Sequence, residues 1–136
     1  MANYKIDDLE GVGKVYAAKL TAAGIKDTDK LLAACKTAKQ RADLAAKTGI
    51  SAKRLSKWAN MVDLYRIDGV GSEFAELLEA AGVDTVPELA QRNAANLAAA
   101  MAKTNEVKKL ARRSPSETEV AKWVAQAKKL PRVLEY

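Results

Sequence analysis

Two stretches of the chain share one pattern: Leu9-Glu10-Gly11-Val12-Gly13-Lys14-Val15-Tyr16-Ala17-Ala18-Lys19-Leu20 and Ile67-Asp68-Gly69-Val70-Gly71-Ser72-Glu73-Phe74-Ala75-Glu76-Leu77-Leu78. Each places Gly-Val-Gly after an apolar and an acidic residue and continues with apolar residues at helical spacing. Glycines on both sides of a valine let the backbone turn sharply through positive φ and leave its amides uncovered by a Cβ. A helix that opens directly from such a turn has first N–H groups without intrahelical partners, at the positive end of the helix dipole. The turn is therefore a candidate anion site, and a phosphate would fit it.

The correspondence extends past the turns. Gly11, Gly13 and Gly24 each recur 58 residues later as Gly69, Gly71 and Gly82. Phe74 stands in the place of Tyr16, Leu78 of Leu20 and Val83 of Ile25, so core positions stay apolar while surface positions change. An internal duplication is the simplest account. It divides the chain into residues 1–64 and 65–136. Each half of a 136-residue chain would be marginal alone. The helix running from Ser51 toward Tyr65 reaches the second turn without a Gly, Pro or Ser linker, so the halves are expected to pack into one cooperative body.

Between the turns the sequence supplies helix punctuation. A short helix over Ile6–Leu9 leads into the first turn, and a helix over Lys14–Ala23 is stopped by Gly24, with Tyr16, Ala17, Leu20 and Ala23 inward and Ile25 completing the cap. Asp27 or Thr28 caps a helix through Leu31, Leu32 and Cys35, and Thr37 caps one through Leu44 that ends at Gly49. Thr48-Gly49-Ile50-Ser51 forms a less glycine-rich hairpin, after which Leu55, Trp58, Ala59 and Val62 make an apolar stripe. In the second half Thr85 and Asn93 start helices, and Thr104 or Asn105 marks a further boundary. Ser114-Pro115-Ser116-Glu117-Thr118-Glu119 offers two capping boxes, one with proline at the first helical position. The helix that follows buries Val120, Trp123, Val124 and Ala127, and residues 130–136 form a tail free to fray or dock.

Ala, Leu and Lys dominate, proline is scarce and no alternating β-branched run occurs, which makes the chain all-α. Its net charge of +6 is uneven. Lys36, Lys39, Arg41, Lys47, Lys53, Arg54 and Lys57 face only Asp43 in residues 33–60, whereas residues 61–102 are acidic and residues 103–134 are basic again. Basic segments attract nucleic acid or acidic partners, although lysine-rich solvated helix faces give the same composition. The single cysteine, Cys35, lies among leucines and alanines and reads as a small core residue. With no histidine in the chain, a Cys/His zinc site, a cysteine–histidine pair and a Ser-His-Asp triad are excluded, and no metal, cofactor or active site is expected. No apolar run reaches membrane-spanning length and Met1-Ala2-Asn3-Tyr4-Lys5 lacks a signal-peptide core, so a cytoplasmic protein without membrane partners is expected.

The Gly-Val-Gly turns, opening into helices with the quoted apolar spacing, resemble the helix-hairpin-helix motif, whose glycine hairpin holds a nucleic-acid backbone. Gly11 to Leu20, Ala23-Gly24-Ile25 and Gly49-Ile50-Ser51 before the helix with Trp58 resemble the small paired helix-hairpin-helix domain at the N-terminus of archaeal recombinases. The order through both halves also resembles an uncharacterised bacterial domain-of-unknown-function family of tandem helix-hairpin-helix proteins. The resemblance implies two tandem helix-hairpin-helix (SAM-like) repeats packed into one compact body. It also implies non-catalytic, sequence-independent binding of nucleic acid, duplex DNA above all, through hairpin amides and basic side chains.

The residues expected at that contact are Gly11, Val12, Gly13, Lys14, Gly49, Ser51, Lys53, Arg54, Lys57, Gly69, Gly71, Ser72, Arg112 and Arg113. The chain departs from the motif at Glu10 and Asp68, where nucleic-acid-binding versions often carry proline, and at Glu73 and Glu76, which would repel phosphate. DNA glycosylases of this motif place a lysine nucleophile just before the hairpin, where Leu9 and Glu10 stand here. The alternative is a protein-interaction or assembly module on the same fold, with another protein as partner and the oligomeric state open.

Overall fold

A computed structural model describes residues 3–9 and 11–136; Met1, Ala2 and Glu10 lie outside the described residues, and with them the acidic side chain expected ahead of the first turn. A 3₁₀ turn over Ile6–Asp8 precedes α1 (Gly13–Ala22), α2 (Thr28–Ala34), α3 (Ala38–Thr48), α4 (Ala52–Leu64), α5 (Ser72–Ala80), α6 (Val86–Ala90), α7 (Ala94–Lys108) and α8 (Glu117–Lys129). The chain is all-α. Two compact units divide it: Asn3–Asp63 with Val133–Tyr136, and Leu64–Arg132.

In the first unit the N-terminal segment holds the start of α2. Ile6 N–H donates to Lys26 O at 3.0 Å and Thr28 N–H to Tyr4 O at 2.9 Å. The Thr28 hydroxyl, fully buried, accepts from Tyr4 N and donates to Asn3 Oδ1. Asp27 caps α2 and Thr37 with Gln40 closes a capping box on α3. Gly24 ends α1 in the left-handed region at φ 89°. There Ile25 N–H reaches back to Leu20 O at 2.9 Å and Gly24 N–H to Thr21 O at 3.0 Å, a Schellman pair that satisfies two orphan carbonyls.

The core of this unit is the stripe of α4, Leu55, Trp58, Ala59 and Val62, with Ile6, Leu20, Leu31 and Cys35, all buried. Burial raises the Cys35 thiol to about 11, against a smaller opposing pull from Arg41. The thiol stays neutral there, consistent with a packing residue.

The tail docks. Leu134 is buried, Glu135 N–H donates to Lys36 O at 2.7 Å, and the Tyr136 hydroxyl donates to Asn60 Oδ1. Arg41 anchors it: its guanidinium donates to Cys35 O at 2.7 Å and to Glu135 O at 2.6 Å and lies 4.3 Å from the centroid of the Tyr136 ring. Only 3% of Arg41 is exposed, so it belongs to the interior and not to the basic surface expected over residues 36–57. The guanidinium can be buried because carbonyls and a ring face replace its water.

In the second unit α8 packs against α6 and α7, and α5 packs against α7. Val120, Trp123, Val124 and Ala127 of α8 are buried, as their spacing requires. Gly82 closes α5 as Gly24 closes α1, with Val83 N–H on Leu78 O at 2.8 Å.

Three local expectations are corrected here. The helix after Asn93 does not stop at Thr104 or Asn105 but runs to Lys108, with Lys109 at φ 50°. The Asn105 side chain pairs with both backbone groups of Ala111, so it shapes the following loop instead of competing with its own helix. Of the two boxes offered near Pro115, the one that forms joins Ser116 and Glu119. Thr85 stands at the N-cap of α6 without accepting a backbone N–H, and its hydroxyl is turned to Glu88 Oε1 at 3.3 Å.

Candidate nucleic-acid interface

The first turn uses both of its glycines as the sequence requires, Gly11 at φ 84° and Gly13 at φ 73°. Val12 between them is buried. The turn therefore pins its apolar residue inward and leaves Gly11, Gly13 and Lys14 exposed. At the second turn Gly69 takes φ 93°, but Gly71 is extended at φ −103°, ψ −162°, a conformation open to any residue. The need for glycine at position 71 is thus not one of backbone sign.

Caps distinguish the helices that follow these turns. Side-chain oxygens of Asp27, Thr37, Asn93 and Ser116 accept from the starts of α2, α3, α7 and α8, and Ser51 Oγ accepts from Arg54 N at 3.2 Å at the start of α4. Neither α1 nor α5 has a side-chain cap at its N-cap residue, Val12 and Gly71 respectively. Both long helices that open from a Gly-Val-Gly turn therefore present first-turn amides that no N-cap side chain covers.

Around the first turn, Trp58 of α4 stands behind Gly11 and meets Tyr16 of α1 edge to face, ring centroids 5.5 Å apart. Arg54, one turn earlier on α4, lies 5.0 Å from the Tyr16 centroid and Lys19 lies 5.9 Å from it. The turn, Tyr16 and Arg54 are thus brought together in the first unit, with two cations near one aromatic ring. Lys53 and Lys57 are exposed on the same helix as Arg54. Gly49 sits at φ 76°, and Ser51 spends its hydroxyl as a cap. A groove of about 790 Å³ runs beside the turn, lined by Asp7, Gly13, Lys14, Ala17, Ala18, Thr21 and Ala22.

Around the second turn the same residue classes meet and are differently engaged. Trp123 stands behind Gly69, and Phe74 lies 5.2 Å from its ring. Arg113 lies 5.2 Å from the Phe74 centroid. Arg112 and Arg113 therefore reach the start of α5, at Glu73 and Phe74. Both are held by carboxylates: Arg112 Nε is 3.3 Å from Glu73 Oε2 and its N–H donates to Glu73 Oε1 at 2.9 Å. Arg113 forks onto Glu119 at 2.7 and 2.9 Å. That fork, with help from Ser116, holds the Glu119 carboxyl down at about 2 and raises Arg113. Gln126 clamps the turn from α8, accepting from Asp68 N at 2.9 Å and donating to Asp68 O at 3.3 Å.

Sequence reasoning missed Glu119 and Gln126 as neighbours of the second turn. A signal existed for the first: counting from the capping serines Ser51 and Ser116, the third helical residue is Arg54 in α4 and Glu119 in α8.

The described residues thus form an all-α protein with two glycine turns opening into helices, and among them no helix is long and apolar enough to cross a membrane. The chain belongs to the family described as a domain of unknown function, DUF4332, whose model matches residues 10–130. No curated protein and no solved structure matches it.

Proposed function

We propose that this protein is a non-catalytic, sequence-independent nucleic-acid-binding module built from two helix-hairpin-helix repeats, with duplex DNA as its ligand in the cytoplasm. The observation that carries the reading is that α1 and α5, each following a glycine turn, have N-cap residues Val12 and Gly71 that supply no side-chain cap, while among the described residues Asp27, Thr37, Ser51, Asn93 and Ser116 cap α2, α3, α4, α7 and α8. Amides at such a start suit a phosphate oxygen, and cations beside them add charge-assisted contacts without reading bases. Lys14 and Arg54 supply that charge at the first turn. The experiment is binding of random-sequence duplex DNA by fluorescence anisotropy across a salt series. A linear fall of log K with log salt supports the reading, with a slope of about −0.9 for each phosphate neutralised. No salt-dependent binding at low ionic strength overturns it.

A second reading has one observation in its favour. Ala17, Ala18 and Ala22 stand among the residues lining the groove beside α1, and Val15 on the same helix is 68% exposed. Such a surface suits another protein more than a phosphate backbone. Under that reading Val15→Asp abolishes partner binding while Lys14→Ala has little effect. The reverse order in a DNA-binding assay sets it aside.

A further inference from the structure

Arg113 and Arg54 hold matching positions on an aromatic ring, 5.2 Å from Phe74 and 5.0 Å from Tyr16, and the residues that follow their capping serines differ. Arg54 stands third in its helix behind Ser51. The third residue of α8 behind Ser116 is Glu119, and it takes the Arg113 fork at 2.7 and 2.9 Å. Glu73 meets Arg112 differently, accepting from its backbone N–H at 2.9 Å with the guanidinium Nε 3.3 Å away. A carboxylate and a phosphate accept from a guanidinium in the same paired geometry. Glu119 thus fills the paired guanidinium donors that a nucleic-acid backbone would use on Arg113, Glu73 accepts from the Arg112 backbone amide and stands beside its Nε, and each adds a negative charge there.

Resting on the nucleic-acid reading above, we infer that the second turn is a masked phosphate site in which Glu73 and Glu119 act as internal phosphate surrogates on Arg112 and Arg113. The mask is electrostatic and shallow. The Arg112 side chain is 92% exposed and the Arg113 side chain 60%, and ion pairs at such exposure hold weakly. Removing the carboxylate charges while keeping the shapes should therefore uncover the site without unfolding it. Glutamine suits both positions: at 119 it preserves the capping box with Ser116, and at 73 its amide oxygen still accepts from Arg112 N–H.

The test compares wild type, E73Q, E119Q, E73Q/E119Q and E117Q on random-sequence duplex DNA across a salt series, with circular dichroism and melting to verify folding. Glu117 is exposed in the first turn of α8, so E117Q changes the same helix by the same charge. The double variant should bind about three- to tenfold tighter than wild type at about 50 mM salt, with a slope steeper by about 1 to 2. Each single variant should give part of that gain, E117Q should stay within about twofold at the wild-type slope, and R113Q added to the double variant should remove much of the gain. If the double variant only tracks E117Q while wild type binds, the mask is refuted and the nucleic-acid reading stands. If neither binds at low salt, both fail. If only the double variant binds, the mask is real and the native chain is not a DNA-binding protein.

Discussion

Behind Gly11 the indole of Trp58 stands at ordinary van der Waals range from where a Cβ would be, 3.9 Å; behind Gly69 the indole of Trp123 stands at 3.0 Å. The first turn leaves Lys14 exposed and gathers Arg54 and Lys19 on Tyr16. The second is clamped by Gln126 and its arginines are spent on Glu73 and Glu119. Two turns alike in sequence, with Gly13 at positive φ and Gly71 extended, therefore carry different side-chain surroundings, set by a few residues on neighbouring helices. The lesson is that a glycine turn ahead of a helix fixes where an anion could sit, while elements far away in sequence decide whether the place is open.

The largest test of the comparison removes what the two turns have in common. Trp58 and Trp123 are each 3% exposed and each back a turn. Trp58→Ala and Trp123→Ala should each lower stability by about 3–5 kcal/mol in chemical denaturation, the cost of truncating a buried aromatic ring. Retention of wild-type stability by either variant would mean that its ring is a surface contact.

A smaller loss should expose a feature that belongs to the first unit alone. Arg41→Met keeps the buried stem but removes the donors to Cys35 O and Glu135 O, and should cost about 2–3 kcal/mol. Amide exchange at Glu135 should speed up in parallel, because its bond to Lys36 O depends on the docked tail. Unchanged melting with a still-protected Glu135 amide would show that Leu134 and the Tyr136–Asn60 bond hold the tail without Arg41.

The turns themselves should respond unequally to a methyl group. Gly11→Ala meets only the cost of a side chain at positive φ, about 1–2 kcal/mol. Gly69→Ala should cost more, since its methyl group also presses on Trp123. Equal melting shifts would mean that the indole yields freely. Gly71→Ala should be milder on backbone grounds than Gly13→Ala, because only Gly13 has positive φ.

Much of the fold was legible because its punctuation is local. The Thr37 cap, the Ser116–Glu119 box, the glycines 24, 49 and 82, and the stripes of α4 and α8 are each visible within a few residues of sequence. What was not legible depends on distant partners. Asn105 looked like a helix boundary because asparagine caps helices, but here its amide finds Ala111 across the loop. Arg41 looked like one more surface cation, and it is buried because residues 133–136 return to cover it. At the candidate site, the residue types that would suit phosphate could be read from the sequence, but the pairing of Arg112 and Arg113 depends on which side chains α5 and α8 present to a loop between them in the chain.

The smallest expected effect is the sharpest comparison of the two turns as anion contacts. Lys14 follows the first turn directly and is exposed, so its ammonium can share a phosphate with the uncapped amides of α1. Ser72 holds the matching place in α5, but it brings no charge and precedes Glu73, already paired with Arg112. Lys14→Ala should flatten the salt dependence of DNA binding by about 1, and Lys14→Glu should weaken binding similarly across DNA sequences because no base is read. Ser72→Ala should do little in wild type. In the E73Q/E119Q background Ser72 would lie beside an open site, and Ser72→Ala should then cost a measurable part of the gained affinity, because its hydroxyl would donate to the phosphate. Equal losses at positions 14 and 72 in wild type would refute the asymmetry, and a null effect of Ser72→Ala in both backgrounds would place the uncovered phosphate on the arginines alone.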